Sequence, residues 1–234
     1  MKAIIFAAGL GSRLRPFTDR TPKALLKVNG KPLLAHAIEK LQQARVTEII
    51  VNVHHLSGQI MAYLEHNPYQ GITFSISDER DLLLDTGGGL KKAAPFFDDD
   101  QPFLAYNVDI LTDLDLSEMM RFHRKQNALA TLAISDRVTT RYLLFDDNMH
   151  LKGWMNVKTE DTIPQNIDLK RFQKKAFSGI HIINPKLLYF LNKEGNFPII
   201  PEYLRLCTEH LIIGYDHTGI GWMDMGKPEE AVLK

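Results

Sequence analysis

The sequence is first informative in what it lacks. It has one cysteine, Cys207, so it forms no internal disulfide and offers no cysteine cluster for zinc. It has no run of about 18 apolar residues, and its first residues predict a strand instead of a signal peptide. Its 28 basic residues are balanced by 28 acidic residues, and basic residues cluster in one loop only. A nucleic-acid-binding protein usually has an excess of basic residues and an extended basic surface. We therefore expect a cytoplasmic protein without a nucleic-acid or membrane partner.

Apolar residues make up 44% of the 234-residue chain, which is enough for a full core at a size typical of one domain. We therefore predict a single domain over residues 1–234. Apolar runs of strand length alternate with segments whose apolar residues recur at helical spacing. The predicted strands include residues 3–6, 48–53 and 72–77, and the predicted helices include 32–44 and 56–64. This alternation predicts an α/β fold in three layers, with helices on both faces of a mostly parallel mixed sheet.

The first predicted strand is followed directly by a glycine loop that contains Ala7, Ala8, Gly9 and Gly11. Small residues let a backbone lie close to a ligand, and glycines leave successive N–H groups free to converge on an anion. One acidic residue and six basic residues follow between positions 10 and 31; the basic ones are Arg13, Arg15, Arg20, Lys23, Lys27 and Lys31. The pattern predicts a phosphate-binding loop, and an ordinary solvated basic loop is the alternative.

This loop differs from the first turn of a dinucleotide-binding fold. That turn requires a third glycine or an alanine where the helix opens, and position 14 is Leu. Pro16 and Pro22 also prevent one continuous helix directly after the glycines. An NAD-dependent oxidoreductase, which would need a nicotinamide site and no magnesium, is therefore disfavoured.

A second glycine-rich segment, Leu84–Lys92, contains three consecutive glycines, Gly87 to Gly89. Such a run costs conformational entropy, so it needs a reason. The residues alone leave two explanations open for the three glycines. One is a plain turn with positive φ, and the other is the close approach of a flat ligand.

An apolar predicted strand ends in Asn107 and Asp109. This places a carboxylate at the carboxyl edge of the sheet, where open α/β sheets hold ligands. Magnesium prefers hard oxygen ligands and often takes one or two protein carboxylates. Asp109 is therefore a candidate Mg²⁺ ligand, with helix capping or an exposed loop position as the alternative. Asp113 and Asp115 are predicted to be turn and cap residues.

Four segments together resemble the sugar-1-phosphate nucleotidyltransferases. They are Ala8–Thr18 with Thr21–Leu26, Asp85–Gly89, Phe177–Ile180 and Trp222–Pro228. The resemblance covers almost the whole chain and implies a Rossmann-like fold and transfer of a nucleotidyl group from an NTP to a sugar 1-phosphate. Asp85–Gly89 is similar to a segment of N-acetylmuramate 1-phosphate uridylyltransferases, which favours UTP and that sugar.

The resemblance also implies roles for individual residues of this sequence. Arg13 and Lys23 would be catalytic through their charges, and Asp109 and Asp224 would hold Mg²⁺. The residues implied to bind nucleotide are Ala7, Ala8, Gly9, Gly11 and Gly88, and those implied to bind sugar are Asn107 and Gly179.

The sequence departs from the family pattern in three places. Val108 stands where the family commonly has glycine, which can change how closely metal and sugar approach. The Glu-Lys-Pro element of many relatives is absent from residues 136–175, which we predict to form a hairpin and a flexible segment over the sugar pocket. The β-helix repeats of the bifunctional acetyltransferase relatives are also absent.

Other functions stay open at this point. Within the same chemistry, mannose or heptose 1-phosphate guanylyl transfer is the alternative. From another class, the chain could be a non-catalytic nucleotide sensor on the same fold, although a sensor would not need Arg13, Lys23, Asp109 and Asp224 together. Both a monomer and a homodimer are compatible with the sequence.

Overall fold

The computed structural model describes residues 1–227 of the chain. Pro228, the last residue of the Trp222–Pro228 motif, lies outside them. The strands are β1 (Lys2–Phe6), β2 (Lys27–Val28), β3 (Lys31–Pro32), β4 (Glu48–Val53), β5 (Thr73–Asp78), β6 (Phe103–Asn107), β7 (Ile110–Thr112), β8 (Ala130–Ser135), β9 (Arg141–Phe145), β10 (Leu151–Asn156), β11 (Thr162–Ile163), β12 (Gln173–Ile183), β13 (Ile212–Asp216) and β14 (Trp222–Asp224). The helices are α1 (Leu33–Gln43), α2 (Ser57–His66), α3 (Asp85–Lys92), α4 (Leu116–Gln126), α5 (Lys186–Tyr189) and α6 (Ile199–Leu206).

A ten-stranded mixed sheet forms the centre of the fold. Its main path runs β11-β10-β9-β12-β6-β1-β4-β5, with β8 paired to β12 and β13. The strands β6, β1, β4 and β5 are parallel, and Ile5 of β1 lies between Val51 and Tyr106 of its neighbours. Strand β12 joins this parallel part to an antiparallel part by pairing with β6, β8 and β9. The predicted mixed α/β sheet is confirmed.

The strands alternate their side chains between two separate cores. Ala3 and Ile5 face a core to which α1, α2 and α4 contribute, whereas Ile4 and Phe6 face a core to which α3, α5 and α6 contribute. Side chains at successive strand positions point to opposite faces, so one apolar strand supplies both cores. This arrangement confirms the three predicted layers.

The predicted element bounds agree closely with the structure in the first half of the chain. The strand predicted over 48–53 is β4, and the helix predicted over 32–44 is α1, which begins directly after Pro32. Asp115 caps α4 as predicted, because its Oδ1 accepts hydrogen bonds from the N–H groups of Ser117 and Glu118. The predicted hairpin within 136–175 is the antiparallel pair β9 and β10.

Among residues 1–227, no helix combines the length and the apolar character that crossing a membrane requires.

Candidate active site

A cleft of about 250 Å³ lies at the carboxyl edge of the parallel strands. Strands β1, β4, β5 and β6 all end there, because parallel strands present their carboxyl ends at the same edge. The residues that line the cleft include Ala7, Ala8, Gly9, Lys23, Asn107 and Asp109. Six of the residues implied by the sequence thus surround one cavity.

The glycine loop after β1 needs glycine for different reasons at its two positions. Gly11 has a φ of +64°, and a Cβ there would lie 2.6 Å from Thr18 Cγ2. The Thr18 hydroxyl also donates to the Gly11 carbonyl at 2.9 Å, which fixes the turn. A Cβ on Gly9, which lines the cleft, would meet no other part of the protein within 4 Å. Gly11 is therefore required by the fold, whereas the fold leaves open space beside Gly9.

A buried polar pair supports the loop from behind. Asn52 Oδ1 accepts hydrogen bonds from the N–H groups of Ala7 and Ala8, at 2.6 and 3.1 Å. Asn52 Nδ2 donates to Glu79 Oε1 at 2.9 Å, and Glu79 Oε2 accepts from the N–H of Leu84 at 3.2 Å. Burial raises the pKa of the Glu79 carboxyl above its usual value. The first two loop N–H groups are thus bonded within the protein and hold the loop in place.

Sequence reasoning did not identify Asn52 or Glu79 as site residues. A signal was available for Asn52, because it is the one polar residue among the buried positions 49–53 of strand β4. Buried amides are nearly always hydrogen-bonded, so this residue required a partner. Glu79 follows β5 within a charged segment, and its role becomes visible only when β4 and β5 are paired.

The three consecutive glycines lie inside helix α3 and do not form a plain turn. A Cβ on Gly87 would lie 2.5 Å from the Phe197 ring, and one on Gly89 would lie 2.7 Å from Glu79 Oε1. The corresponding space beside Gly88 is taken by the carbonyl oxygen of Gly195. The structure therefore gives Gly88 a packing contact with the 195–197 segment and does not place it among the residues that line the cleft.

Charged side chains converge at one side of the cleft. Lys23 Nζ forms an ion pair with Asp109 Oδ2, and both side chains are largely buried, with 13% and 12% exposed. A Cβ on Gly226 would lie 2.5 Å from Lys23 Nζ and 2.9 Å from Asp224 Oδ1, with Asp109 Oδ2 also in contact. The pairing of β14 with β7 sets Asp224 opposite Ile110, the residue after Asp109. The two carboxylates implied by the family motifs thus meet from distant parts of the chain.

The charges at this point influence one another. Burial is the largest cause that raises the pKa of Asp224, and the neighbouring Asp109 carboxylate raises it further. The charges of Lys23 and of the exposed Arg13 act in the opposite direction. All four predicted charged residues therefore contribute to one electrostatic cluster.

The donor set fits a hard divalent cation. Among residues 1–227, no group of three or more His, Cys, Asp or Glu side chains could hold a metal ion. Two converging carboxylates match the one or two that Mg²⁺ usually takes from a protein, with phosphate and water as its other ligands. Burial and the neighbouring Asp109 carboxylate both raise the pKa of Asp224, and a cation bound between the two carboxylates would offset both effects.

The two residues implied to bind sugar are neighbours. Gly179 lies in an irregular stretch of β12 with a φ of +76°, and a Cβ there would lie 2.9 Å from Asn107 Nδ2. The Trp222 indole N–H donates to the carbonyl of Ser178 at 2.9 Å, which ties this stretch to β14 and to Asp224. His181, predicted to be a structural histidine, is buried and hydrogen-bonded through Nδ1 to the Tyr203 hydroxyl.

Val108, which replaces the common family glycine, has an ordinary negative φ and a buried side chain. Its N–H donates to the Phe6 carbonyl at 3.3 Å, so this position continues the contact between β6 and β1. The backbone therefore accommodates valine at this position without strain.

A glycine loop and a cluster of cations and carboxylates at the edge of an α/β sheet suit an enzyme that acts on phosphate-bearing substrates. The comparison with protein families specifies the class further. Residues 2–232 match the family model described as nucleotidyl transferase, and the chain belongs to that family.

Curated relatives agree in class and differ in substrate. The chain is 30% identical over 227 residues to an N-acetylmuramate alpha-1-phosphate uridylyltransferase of Neisseria meningitidis, covering 97% of this chain and 93% of the relative. It is 30% identical to the enzyme of the same name from Caulobacter vibrioides, covering 97% and 92%. It is 29% identical to a mannose-1-phosphate guanyltransferase of Yarrowia lipolytica, covering 98% of this chain and 62% of the relative. The chain is thus an enzyme of the sugar-1-phosphate nucleotidyltransferase type.

A solved structure of a UDP-glucose pyrophosphorylase in complex with UDP-glucose has the same fold, with a TM-score of 0.81 at 17% identity, covering 99% of this chain and 95% of the other.

Proposed function

We propose that the protein transfers a uridylyl group from UTP to an N-acetylmuramate-type sugar 1-phosphate, with Mg²⁺, and releases pyrophosphate. The observation that carries this proposal is the convergence of Lys23, Asp109 and Asp224 at Gly226, beside the glycine loop. The choice of base and sugar is supported by 30% identity over almost the full length of two uridylyltransferases for that sugar phosphate.

In this reaction an oxygen of the sugar phosphate attacks the α-phosphorus of UTP. A new P–O bond forms there, and the bond from the α-phosphorus to the β-phosphate oxygen breaks, so that pyrophosphate leaves. A phosphate oxyanion is nucleophilic at neutral pH, so no general base is needed. Catalysis then depends on holding two anions in line and on neutralising their charge.

Each charged residue has a distinct role in this proposal. Lys23, a compact and largely buried ammonium, contacts the α-phosphate and the incoming sugar phosphate. Arg13 is exposed at the mouth of the loop and holds the β- and γ-phosphates with its planar fork of donors. Asn107 and Gly179 face the sugar, and the glycine loop, with Asn52 behind it, faces the base and ribose.

Asp109 and Asp224 would hold the Mg²⁺ ion. When bound there, Mg²⁺ supplies positive charge between the two phosphate groups that must approach each other. The protein's part is to keep the two carboxylates together, which the pairing of β14 with β7 and the small size of Gly226 achieve.

The test measures the release of pyrophosphate by the purified protein in the presence of Mg²⁺. Each of the four NTPs is paired in turn with the 1-phosphates of N-acetylmuramate, glucose, mannose and heptose. We expect UTP with N-acetylmuramate 1-phosphate to give the highest kcat/KM. Guanylyl transfer to mannose 1-phosphate is the second candidate, because a relative 29% identical over 98% of this chain carries that name. Preference for GTP would select it, and Mg²⁺-independent NTP binding without turnover would indicate a sensor.

A further inference from the structure

Strand β12 forms a bulge where it passes the proposed sugar position. In the pairing of β12 with β8, Phe177 lies opposite Ile134, and His181 lies opposite Leu132. Strand β12 thus advances four residues there while β8 advances two. The bulge contains Gly179, which has a φ of +76°. Bulges are common next to active sites, where they re-aim the chain, and they interrupt the ladder that otherwise holds a strand in place.

Contacts from outside the ladder hold this bulge. Ser178, the residue before Gly179, is buried, and its hydroxyl is hydrogen-bonded to Nε2 of the buried His217 at 2.8 Å. The Ser178 carbonyl accepts from the indole N–H of Trp222 at 2.9 Å. Both partners belong to one segment, residues 217–222, which runs from the end of β13 to the first residue of β14. The position of the bulge therefore depends on this connecting segment.

The connecting segment is itself anchored at both ends. At its start, the N–H of His217 donates to the carbonyl of Ile134 in β8 at 2.9 Å. Near its end, the carbonyl of Gly221 accepts from the N–H of Asp113 at 2.9 Å and from the Thr112 hydroxyl at 2.8 Å. The segment is thus bonded to β8 on one side and to the end of β7 on the other, and it can serve as a fixed support.

Printed contacts join this support to the cleft and to the carboxylates. A Cβ on Gly179 would lie 2.9 Å from Asn107 Nδ2 and 3.0 Å from Ile110 Cγ1. Asn107 lines the cleft, and Ile110 lies opposite Asp224 in the pairing of β7 with β14. Trp222 and Asp224 are two positions apart on β14, so their side chains lie on the same face of that strand. The bulge therefore lies between a residue of the cleft and the strand pair that brings the carboxylates together.

We propose that His217 and Trp222 are positioning residues for the sugar 1-phosphate, because through Ser178 they hold the bulge of β12 at a fixed distance from the paired carboxylates. The inference rests on the proposed function, in which Gly179 faces the sugar. An attacking phosphate oxygen must be held in line with the α-phosphorus, and a displacement of about 1 Å can cost on the order of 100-fold in rate. In the proposed function the NTP lies on the glycine loop after β1, so loss of this support should affect the sugar 1-phosphate and leave the NTP unaffected.

The first test compares Ser178→Ala with a matched buried pair elsewhere in the sheet. In that pair, the Thr131 hydroxyl is hydrogen-bonded to Nδ1 of the buried His123 at 2.9 Å, and neither residue lines the cleft. Ser178→Ala and Thr131→Val each leave a buried histidine without its hydroxyl partner, so both should lower the midpoint of urea unfolding. We expect only Ser178→Ala to raise KM for the sugar 1-phosphate, roughly 3- to 10-fold, with KM for the NTP unchanged.

Replacement of His217 gives a second, independent comparison. Burial lowers the pKa of its imidazole, so the ring is neutral near pH 7 and an uncharged amide can replace it. The amide of glutamine reaches about as far as Nε2, whereas the amide of asparagine does not. We expect His217→Gln to keep KM for the sugar 1-phosphate near the parent value and His217→Asn to raise it as Ser178→Ala does. The double variant Ser178→Ala/His217→Asn should show no larger increase than the single variants, because all three lose the same contact.

Trp222→Phe tests the second contact to Ser178. It keeps an aromatic ring and removes the indole N–H, so the Ser178 carbonyl loses its donor. We expect it to raise KM for the sugar 1-phosphate by a similar factor, roughly 3- to 10-fold. Trp154→Phe, which changes the other tryptophan of the chain, in β10 and outside the cleft lining, is the control and should keep the parent KM.

The outcomes are distinguishable when every variant is assayed with the NTP and sugar 1-phosphate that the parent turns over best. If Ser178→Ala and Trp222→Phe lose stability as Thr131→Val does and keep the parent KM, the inference is wrong and the proposed function stands. An equal rise in KM for both substrates would also overturn the inference, because the support would then act on the whole cleft.

A parent that prefers another pair to UTP and N-acetylmuramate 1-phosphate would contradict the proposed substrate, and the same comparisons on that pair would decide the inference. If Ser178→Ala does not fold, the contrast between His217→Gln and His217→Asn decides it. A parent without turnover on any pair would contradict both the proposed function and the inference.

Discussion

Asn52 and Glu79 form a buried pair whose orientation is fixed at both ends. Asn52 Oδ1 accepts from the N–H groups of Ala7 and Ala8, so its Nδ2 must face Glu79 Oε1, to which it donates at 2.9 Å. The second oxygen of Glu79 accepts from the Leu84 N–H. One amide and one carboxylate therefore connect the glycine loop after β1 with the segment before α3, the two sides of the cleft.

Replacing Asn52 by Asp is expected to weaken both the fold and NTP binding. Aspartate would set an acceptor against the Glu79 carboxylate and add a second buried charge. We expect unfolding in urea to show a loss of about 1–3 kcal/mol, as for a buried group left without its partner, together with a higher KM for the NTP. Asn192→Asp, at an exposed loop position, is the control and should change neither quantity appreciably. Parent-like stability of Asn52→Asp would contradict the assigned orientation.

The two glycines of the loop are expected to respond differently to alanine. Gly11→Ala meets Thr18 and requires a positive φ, so it should destabilise the protein by about 1–3 kcal/mol. Gly9→Ala meets no protein atom, so its thermal midpoint should equal or exceed that of the parent. If the NTP lies against this loop, Gly9→Ala should nevertheless raise KM. A Gly9→Ala enzyme with unchanged KM for every NTP would remove Gly9 from the nucleotide site.

The local pattern of apolar residues and glycines in the sequence was sufficient to predict much of the fold. Strand β4 and helix α1 follow from their apolar periodicity, and the turn at Gly11 follows from the glycine itself. The candidate charged residues were predicted from the motifs that contain them, and the pairing of β14 with β7 explains why Asp109 and Asp224 meet. Their sequence positions alone do not imply this contact.

Residues whose role depends on long-range packing were not predictable. Gly88 stays a predicted nucleotide-binding residue, and its packing against the carbonyl of Gly195, far along the chain, is a contact that the motif does not indicate. Glu79 stands among other charged residues, and only the pairing of β5 with β4 brings it to Asn52. The stacking of Arg137 on Trp222 likewise joins segments that carry no shared sequence signal.

Lys23→Ala is expected to be nearly inactive. If Lys23 stabilises the transition state as a preorganised charge, its loss should reduce kcat by about 100- to 1,000-fold, or about 2.7–4 kcal/mol. Lys27→Ala, which removes an exposed lysine of the same region, is the matched control and should retain parent activity. Pyrophosphate release under saturating substrates measures both. Turnover near the parent value in Lys23→Ala would rule out this role.

Asp224→Asn is expected to affect stability in a way that depends on pH and on divalent cations. Burial and the Asp109 charge raise the pKa of Asp224 in the folded state above its unfolded value. The folded protein binds the Asp224 proton more tightly than the unfolded chain does. This difference stabilises the fold fully at pH values below the unfolded pKa, and the stabilisation is lost as the pH rises through the folded pKa. Without divalent cations, the variant should therefore be more stable than the parent at neutral pH, with the difference shrinking toward about pH 4.

Added Mg²⁺ should reverse this order, because it binds the paired carboxylates of the folded parent and raises the midpoint of urea unfolding. The variant, which has lost one carboxylate, should respond less and should lose activity by on the order of 100-fold. Asp147→Asn, at an exposed turn, controls for the change in net charge and should follow the parent in both respects. Equal stabilisation of parent and Asp224→Asn by Mg²⁺ would show that the cation binds elsewhere, and a parent more stable than the variant at neutral pH without cations would contradict the raised pKa.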